Sequence, residues 1–318
     1  MENYLYLSAD FSQMITRRNL SKIFLTGATG FLGSYVLKEL VKNNFKVVAL
    51  VRKTGKPAKM PKSVEAVYGD LLDIESLKSS MSGADMIINA AASTPNREKI
   101  SGRYLANTLG VKNLIEAANH NGINRIIHIS SISVNFGING KYVSTKREGE
   151  KIVINSGLDY ILFRPSSIYG AGSPDFKKII RLYKKMPFAI VLGSGGNNIQ
   201  PVYVEDVAKV VCSAINKNTA WNKLYDLGGP NPISFSESIE HICAALDVKM
   251  PKLHIPRFML AAIAKLLEIT APQLKVNPER INIMLQDRVV DIAPAKMYLG
   301  YSPLSFKEGL IRSIGKNV

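Results

Sequence analysis

Short apolar runs alternate with amphipathic segments through the first half of the chain. Runs rich in β-branched and aromatic residues predict strands, at residues 22–25, 46–51, 64–68, 86–89, 125–129 and 160–163. Segments with apolar residues at helical spacing predict helices between them, at 33–42, 74–81, about 103–119 and from about 142. This alternation predicts an α/β fold with a doubly wound parallel sheet, whose ligands bind at the carboxyl ends of the strands.

The pattern becomes less regular in the second half of the chain. Glycines and prolines interrupt residues 171–200. A helix is expected from a cap at Asp206 to about Ile215, and a short strand follows at 224–227. The remaining chain reads as mostly helical, and its apolar segment 258–268 predicts a buried helix rather than an interfacial membrane helix.

This change of pattern predicts two structural units and a short extension. Residues 1–20 precede the first strand and are expected to form an N-terminal extension. Residues 21–170 are expected to form the sheet domain, which residues 201–228 complete. Residues 171–200 and 229–318 are then expected to form a smaller, mainly helical lobe that carries the substrate.

The composition suits a globular protein with a basic surface. Of 318 residues, 46% are hydrophobic, and 41 Lys and Arg outnumber 25 Asp and Glu to give a net charge of +16. The basic residues are spread along the chain without an arginine-rich arm, so we expect no nucleic-acid partner. A solvated surface is the simplest explanation of the charge, an anionic cofactor or substrate explains it as well, and an acidic membrane surface is a less favoured alternative.

The cysteines and histidines predict neither a disulfide nor a metal site. Cys212 and Cys243 are the only cysteines and lack metal-ligand spacing, and the four histidines are scattered. No segment reads as a secretory signal or as an uninterrupted apolar span. We therefore expect a reducing compartment and a cytoplasmic location.

A glycine-punctuated turn follows the first predicted strand, in the segment Thr26-Gly-Ala-Thr-Gly-Phe-Leu-Gly33. Gly27 allows a tight turn, Gly30 lets the backbone approach a diphosphate, and Gly33 lets the next helix pack against the strand. The N-terminus of that helix offers free N–H groups and a partial positive charge to an anion. The segment therefore predicts a dinucleotide site.

A tyrosine and a lysine lie four residues apart, at Tyr142 and Lys146, and on a helix they share a face. A nearby ammonium favours tyrosinate and is expected to lower the pKa of Tyr142, which makes it a candidate acid or base. The pair follows the fifth predicted strand, where the Ser131 hydroxyl can position a substrate oxygen. This arrangement predicts hydride transfer to or from a nicotinamide.

Together these motifs resemble the short-chain dehydrogenase/reductase superfamily, especially its extended epimerase/dehydratase branch. The resemblance covers nearly the whole chain after residue 21. It rests on landmarks in the family's order: Thr26–Gly33, Gly69-Asp70, Asn89-Ala-Ala91, Asn107, the set Ser131/Tyr142/Lys146, Arg164–Gly170, Gln200–Asp206 and Leu299–Pro303.

The resemblance implies a Rossmann domain with a Ser–Tyr–Lys catalytic set. Lys146 would bind the nicotinamide ribose and depress the pKa of Tyr142, Tyr142 would move the proton, and Ser131 would orient the substrate oxygen. Ser131 and Tyr142 are only eleven positions apart, so Ser130 and Ser133 remain alternatives for the serine role. The expected cofactor contacts are Gly27, Thr29, Gly30, Phe31, Leu32, Gly33, Arg52, Asp70, Leu71, Ala90, Ala91, Ala92, Asn107, Tyr142, Lys146, Pro165 and Ser167.

The end of the second strand favours NADP(H). An acidic residue there would bind the ribose hydroxyls of NAD, but the segment reads Leu50-Val-Arg-Lys53. Arg52 can pair with a 2′-phosphate, although NAD(H) also fits if Arg52 only stacks on adenine.

The substrate that the resemblance implies is a nucleotide-sugar or a related alcohol or carbonyl compound, and a homodimer is compatible with it. A basic cluster either faces a substrate diphosphate or is simply solvated, and consists of Lys177, Lys178, Arg181, Lys184 and Lys185. The segment Gln200–Asp206 and the missing acid after strand two also resemble the dehydrogenase-like accessory subunit of respiratory complex I. Such a subunit would hold its dinucleotide for stability, whereas the intact Tyr142/Lys146 pair favours catalysis.

Overall fold

The computed structural model of the protein describes residues 22–53, 60–93, 104–136, 140–270 and 284–315. The N-terminal extension expected at residues 1–20 lies outside the described residues, as does the start of the helix expected from residue 103.

Most elements lie where the hydrophobic pattern predicted them. The strands are β1 Lys22–Thr26, β2 Lys46–Val51, β3 Val64–Tyr68, β4 Met86–Asn89, β5 Arg125–Ile129, β6 Asp159–Pro165, β7 Ile168–Tyr169, β8 Ala189–Leu192, β9 Asn198–Ile199, β10 Val202–Tyr203, β11 Lys223–Leu227, β12 Ile233–Ser234 and β13 Lys252–Ile255. The helices are α1 Phe31–Lys42, α2 Ile74–Ser80, α3 Leu109–His120, α4 Lys141–Ile154, α5 Pro174–Tyr183, α6 Val204–Ala214, α7 Phe235–Ala245, α8 Arg257–Thr270, α9 Ala293–Leu299 and α10 Phe306–Gly315.

A seven-stranded parallel sheet organises the fold, in the order β11-β6-β5-β4-β1-β2-β3. The chain runs outward from β1 in one direction through β2 and β3, and in the other through β4, β5 and β6. The order therefore reverses between β1 and β4, where a doubly wound sheet opens a crevice for ligands at its carboxyl edge. The predicted Rossmann-type α/β fold is confirmed.

Helices cover both faces of the sheet, so the central strands are apolar along their whole length rather than alternating. On one face, α1, α6 and α9 enclose a core that contains Ile23, Leu25 and Phe163. On the other face, α2, α3 and α4 enclose a core that contains Phe24 and Leu162. A ligand of such a sheet binds at its carboxyl edge, between the two helical layers.

The C-terminal part of the chain adds a third, smaller core and then returns to the main sheet. The third core joins α5, α7 and α10, together with β8 and its parallel neighbour β13. Residues Ile292 and Leu299 instead pack in the first core, beside α6. The region expected from sequence to be a separate lobe at 229–318 therefore includes a segment that belongs to the core of the main sheet.

The sequence pattern predicts that Asp206 caps a helix, and the structure contradicts this prediction. Helix α6 begins at Val204, which places Asp206 in its first turn. The Asp206 carboxylate accepts a hydrogen bond from the backbone N–H of Leu304 at 2.8 Å. The residue thus ties α6 to the chain just after the Leu299–Pro303 landmark.

The expectation of a buried helix at 258–268 is wrong. Helix α8 exposes apolar side chains on its outer surface, with Phe258 81%, Leu266 59% and Ile269 74% exposed. The apolar residues of this segment are spaced for a helix, and Leu260 among them is buried. Among the described residues, no helix is both long and apolar enough to cross a membrane.

Candidate active site

The glycine turn forms a close backbone contact between β1, α1 and the neighbouring strand end. Gly27 has a φ of 73°, and its carbonyl accepts a hydrogen bond from the N–H of Gly30 at 2.8 Å. A Cβ atom on Gly27 would lie 2.6 Å from the Ala90 carbonyl carbon, and one on Gly33 would lie 2.0 Å from the Gly27 oxygen. Any larger residue at 27 or 33 would force these segments apart.

The start of α1 is suited to an anion. Gly30 is the residue before the helix and supplies no side-chain cap, which leaves the first N–H groups to bind another acceptor. Thr29 is exposed in the turn, and Phe31 and Leu32 are half-buried at the first two helical positions. The structure places these predicted cofactor contacts together at the carboxyl end of β1.

Buried polar side chains connect the ends of three strands beneath this turn. The Thr26 hydroxyl donates to the Asn89 side-chain oxygen at 2.6 Å and accepts from the N–H of Ala91 at 3.3 Å. The Asn89 amide lies 3.0 Å from Nδ1 of His128, which burial and the nearby Lys146 keep neutral by lowering its pKa well below the ordinary value. This network fixes the turn formed by Ala90 and the residues after it.

His128 is a supporting residue that the sequence does not mark, because the four histidines are scattered along the chain without a motif. Its pairing is set by the register of the sheet, in which Asn89 and His128 are neighbours on β4 and β5. Only a correct prediction of strand order would have brought the two together.

Asn107 holds the chain that follows β4. Its side-chain oxygen accepts from the N–H of Ser93 at 2.9 Å, and its amide donates to the Ser93 carbonyl at 3.1 Å and to Thr145 Oγ1 at 3.3 Å. A Cβ atom at Gly149 would lie 2.4 Å from the Asn107 carbonyl oxygen, so α4 packs tightly here. These contacts give Asn107 a positioning role for the half-buried Ala91 and exposed Ala92; its direct contact with a cofactor stays a prediction.

The ends of β2 and β3 supply the other predicted cofactor contacts. Arg52 is exposed directly after β2. Asp70 follows β3, and its carboxylate accepts from the N–H of Leu72 at 2.9 Å. The side chain of Leu71 packs in the second core, so only its backbone is left for a ligand.

The three predicted catalytic residues lie together where β5 ends. The Tyr142 phenol lies beside the Ser131 hydroxyl, which donates to Oγ of Ser133 at 3.1 Å and accepts from the N–H of Ser133 at 3.2 Å. Lys146 is 2% exposed, and its ammonium donates to the Ile129 carbonyl at 2.8 Å. The contact with Tyr142 favours Ser131 over the two alternative serines.

The ionisation of these groups differs from the prediction. Burial raises the pKa of Tyr142, the nearby Ser131 hydroxyl opposes this rise, and the neighbouring Tyr104 phenol adds to it. Burial also lowers the pKa of Lys146 to about 8, against the opposing effect of Glu150. The expected depression of the Tyr142 pKa by Lys146 is therefore wrong for this structure, because burial disfavours both charged forms. Near neutral pH Tyr142 carries its proton.

A buried ion pair supports α4 from behind. Arg164 on β6 donates to both carboxylate oxygens of Glu150 on α4, at 2.9 and 2.6 Å, and to Asn135 at 2.8 Å. Tyr142, Lys146 and Glu150 are spaced by four, so this face of α4 carries the catalytic pair and its support. That spacing was the sequence signal for Glu150, which sequence reasoning had passed over.

The segment just after β6 is hydrogen-bonded to the C-terminal part of the chain. Pro165 is buried at the end of β6, whereas Ser167 is exposed and its hydroxyl accepts from Nη1 of Arg288 at 3.1 Å. Arg288 was not predicted from sequence, because no local motif marks it.

The carboxyl edge of the sheet therefore joins a helix N-terminus with free N–H groups to a half-buried serine and tyrosine and a buried lysine. A family profile described as NAD(P)H-binding matches residues 27–218, which is more than half of the chain. The chain belongs to this NAD(P)H-binding family. It is a member of the extended short-chain dehydrogenase/reductase superfamily, as the sequence motifs had suggested.

Curated relatives of the chain differ in function. It is 29% identical to 3beta-hydroxysteroid-dehydrogenase/decarboxylase isoform 2 of Arabidopsis thaliana, over 79% of this chain and 51% of the relative. It is 26% identical to NADH dehydrogenase [ubiquinone] 1 alpha subcomplex subunit 9, mitochondrial, of the same plant, over 86% and 72%. It is 24% identical to 2-alkyl-3-oxoalkanoate reductase of Shewanella oneidensis, over 92% and 85%. The chain thus spans about half the length of the first of these relatives.

Solved structures share the fold across nearly the whole chain. A UDP-glucuronic acid 4-epimerase from Bacillus cereus, solved in complex with NAD, superposes with a TM-score of 0.72 at 20% identity. The match covers 92% of this chain and 97% of that one. At this identity the likeness shows the fold alone.

Proposed function

We propose that this protein transfers hydride between a nicotinamide cofactor and a carbon that alternates between alcohol and carbonyl. The observation that carries the proposal is the contact between Tyr142 and Ser131 at the carboxyl end of β5, with Lys146 buried one turn further along α4. A protonated phenol beside a fixed hydroxyl is what a substrate oxygen needs when it gains or loses a proton.

Each residue of this set has a distinct role in the proposal. Ser131 donates a hydrogen bond that orients the substrate oxygen, and Tyr142 gives that oxygen a proton in the reductive direction. Near neutral pH the buried Tyr142 carries its proton, which is the form that can protonate a carbonyl oxygen as hydride is added to its carbon. Lys146 would hold the ribose next to the nicotinamide, which supplies or accepts the hydride when bound.

For the substrate, we propose a hydroxy or oxo compound of the kind named in the curated relatives. Those relatives include a hydroxysteroid dehydrogenase/decarboxylase and an oxoalkanoate reductase. A nucleotide-sugar remains a prediction of the sequence motifs, and the fold likeness to UDP-sugar epimerases is compatible with it.

The test is a substrate panel with the wild type and Tyr142→Phe. Hydroxysteroids, 3-hydroxy acids and UDP-sugars are incubated with NADP⁺ or NAD⁺, with nicotinamide absorbance and product identity both recorded, since an epimerase shows no net absorbance change. We expect Tyr142→Phe to lower kcat by about 10²–10⁴-fold while the protein still binds the reduced cofactor, measured by fluorescence. Undiminished turnover would remove Tyr142 from the mechanism.

For the cofactor, we propose a preference for NADP(H) over NAD(H). The support is the exposed Arg52 after β2, in a segment without an acidic residue.

A cofactor-holding accessory subunit is the second candidate function. It is favoured by the similarity to the mitochondrial NADH dehydrogenase subunit, which extends over 86% of this chain. A protein of this class would gain thermal stability from NADPH but would turn over no member of the panel, and Tyr142→Phe would change neither result.

A further inference from the structure

A half-buried arginine side chain bonds to Ser167 just after β6, and part of its hydrogen-bonding capacity is unused. Arg288 donates through Nη1 to the Ser167 hydroxyl at 3.1 Å. Its Nε is buried and has no hydrogen-bond partner among the described residues. Burial lowers the pKa of this guanidinium, and no described carboxylate forms an ion pair with it. A buried N–H donor without a hydrogen-bond partner is costly, so the unpaired Nε needs a reason.

The backbone holds Arg288 in place. Its N–H donates to the Asn198 carbonyl at 2.7 Å, and two residues later the N–H of Val290 donates to Gln200 Oε1 at 2.9 Å. The neighbouring carboxylate of Asp287 is engaged elsewhere, since it accepts from the N–H of Asn198 at 2.6 Å. The guanidinium is therefore positioned by this chain but not neutralised by the acid next to it.

The free part of the guanidinium is the edge that binds oxyanions. With Nη1 on Ser167, the parallel N–H groups of Nε and Nη2 remain. Arg164 uses the same Nε–Nη2 edge to bind both carboxylate oxygens of Glu150. Two parallel donors of this kind match a carboxylate or a phosphate in a bidentate arrangement.

Ser167 connects this edge to the reaction site. It follows Pro165 at the carboxyl end of β6, and β6 is the direct neighbour of β5, which leads to Ser131. An anionic group bound at Arg288 therefore belongs to a molecule in the same cleft.

We propose that Arg288 binds an oxyanion of the substrate, and that Ser167 orients the guanidinium for it. The inference rests on the proposed function and names the substrate class: a hydroxy or oxo compound that also carries a carboxylate or a phosphate. A 3-hydroxy acid supplies the first group and a nucleotide-sugar the second.

The test compares ligands with and without the charge. Isothermal titration measures binding of 3-hydroxydecanoate, its methyl ester and UDP-glucose to the NADPH-loaded wild type, to Arg288→Gln and to Lys46→Gln. Lys46 is an exposed cation at the amino end of β2, away from the cleft, and controls for the loss of one positive charge. We expect Arg288→Gln to weaken the binding of 3-hydroxydecanoate at least about tenfold, a loss of the size expected for a charge-assisted hydrogen bond. The affinity for the methyl ester should not change.

The outcomes separate this proposal from the one on which it rests. If Arg288→Gln weakens the binding of UDP-glucose but not that of the acid, the oxyanion is assigned to a diphosphate. Equal weakening of acid and ester, an unchanged affinity for both oxyanions, or no binding of any of the three would overturn the role of Arg288. If the acid binds through Arg288 but is never oxidised with NADP⁺ or NAD⁺, hydride transfer fails while the anion site stands. If acid and ester are oxidised with equal kcat/KM, the anion site fails while hydride transfer stands.

Discussion

At the scale of single residues, burial rather than proximity sets the chemistry of the candidate site. A lysine one turn from a tyrosine suggests a stabilised tyrosinate, and that was the expectation for Tyr142 and Lys146. In the folded chain Lys146 points to the Ile129 carbonyl and is almost fully covered. Both groups are therefore driven toward their neutral forms.

The buried Lys146 predicts a pH-dependent stability. Its pKa is about 8 in the folded protein against 10.5 for an ordinary lysine, so between these values the unfolded chain binds more protons. Stability linked to Lys146 is therefore lowest below pH 8 and rises as the pH increases through this window. Compared with Lys146→Met, we expect the wild type to gain roughly 1–2 kcal/mol in free energy of unfolding between pH 7 and 9.5. Urea denaturation of both proteins at the two pH values measures this difference; a difference that is independent of pH would contradict it.

Arg52 predicts a cofactor preference that one substitution can remove. Arg52→Ala is expected to raise the Kd for NADPH by about 10–100-fold, because a charge-assisted hydrogen bond to the 2′-phosphate is lost. The Kd for NADH should not change. Fluorescence titration gives both constants, and Lys53→Ala, the next exposed cation, is the control. Equal losses for the two cofactors would refute a contact with the 2′-phosphate.

At the scale of elements, local pattern located the strands well and described their surroundings less well. The bounds predicted for β2, β3, β4 and β5 are those of the structure, because each is a compact apolar run between turn residues. Helix α8 has apolar residues at helical spacing as well, yet its outer face is exposed. Spacing alone shows that a segment is helical; whether its apolar face is covered depends on what packs against it.

The contact between the glycine turn and α1 is the element-scale feature most sensitive to substitution. Gly33→Ala would place a Cβ atom 2.0 Å from the Gly27 oxygen, so α1 must move away from β1. We expect a loss of about 3 kcal/mol in free energy of unfolding, typical of overpacking, together with weaker cofactor binding. Thermal and urea denaturation with NADPH titration measure both effects. Gly196→Ala is the control, because its Cβ would make only an ordinary contact at 3.5 Å with Ser194.

At the scale of the whole molecule, the C-terminal segment is joined to the sheet domain by hydrogen bonds between distant landmarks. Tyr301 donates its hydroxyl to the Gly228 carbonyl at 2.8 Å, just after β11. Gln200 bonds to Gly229 and to Val290, at 2.8 and 2.9 Å. The Gln200–Asp206 and Leu299–Pro303 landmarks therefore act together, by closing the C-terminal part onto the edge that carries the site.

Removal of one of these bonds should loosen the closure without unfolding the protein. Tyr301→Phe leaves the Gly228 carbonyl buried without its donor, so we expect a loss of about 1–3 kcal/mol. Tyr298→Phe, a change of the same size at a half-exposed residue of α9, should cost much less. Differential scanning calorimetry of the two variants tests this. Equal losses would show that the hydroxyl of Tyr301 does not hold the closure.

The sequence by itself determined the succession of strands and helices along the chain, the position of the glycine turn and the face shared by Tyr142 and Lys146. These features depend on residues close together along the chain, where spacing and side-chain type carry the information. Only the tertiary structure decided which distant groups meet, such as Asn89 with His128 and Arg288 with Ser167. It also decided which groups stay neutral, because burial is a property of the packed molecule and not of any local segment.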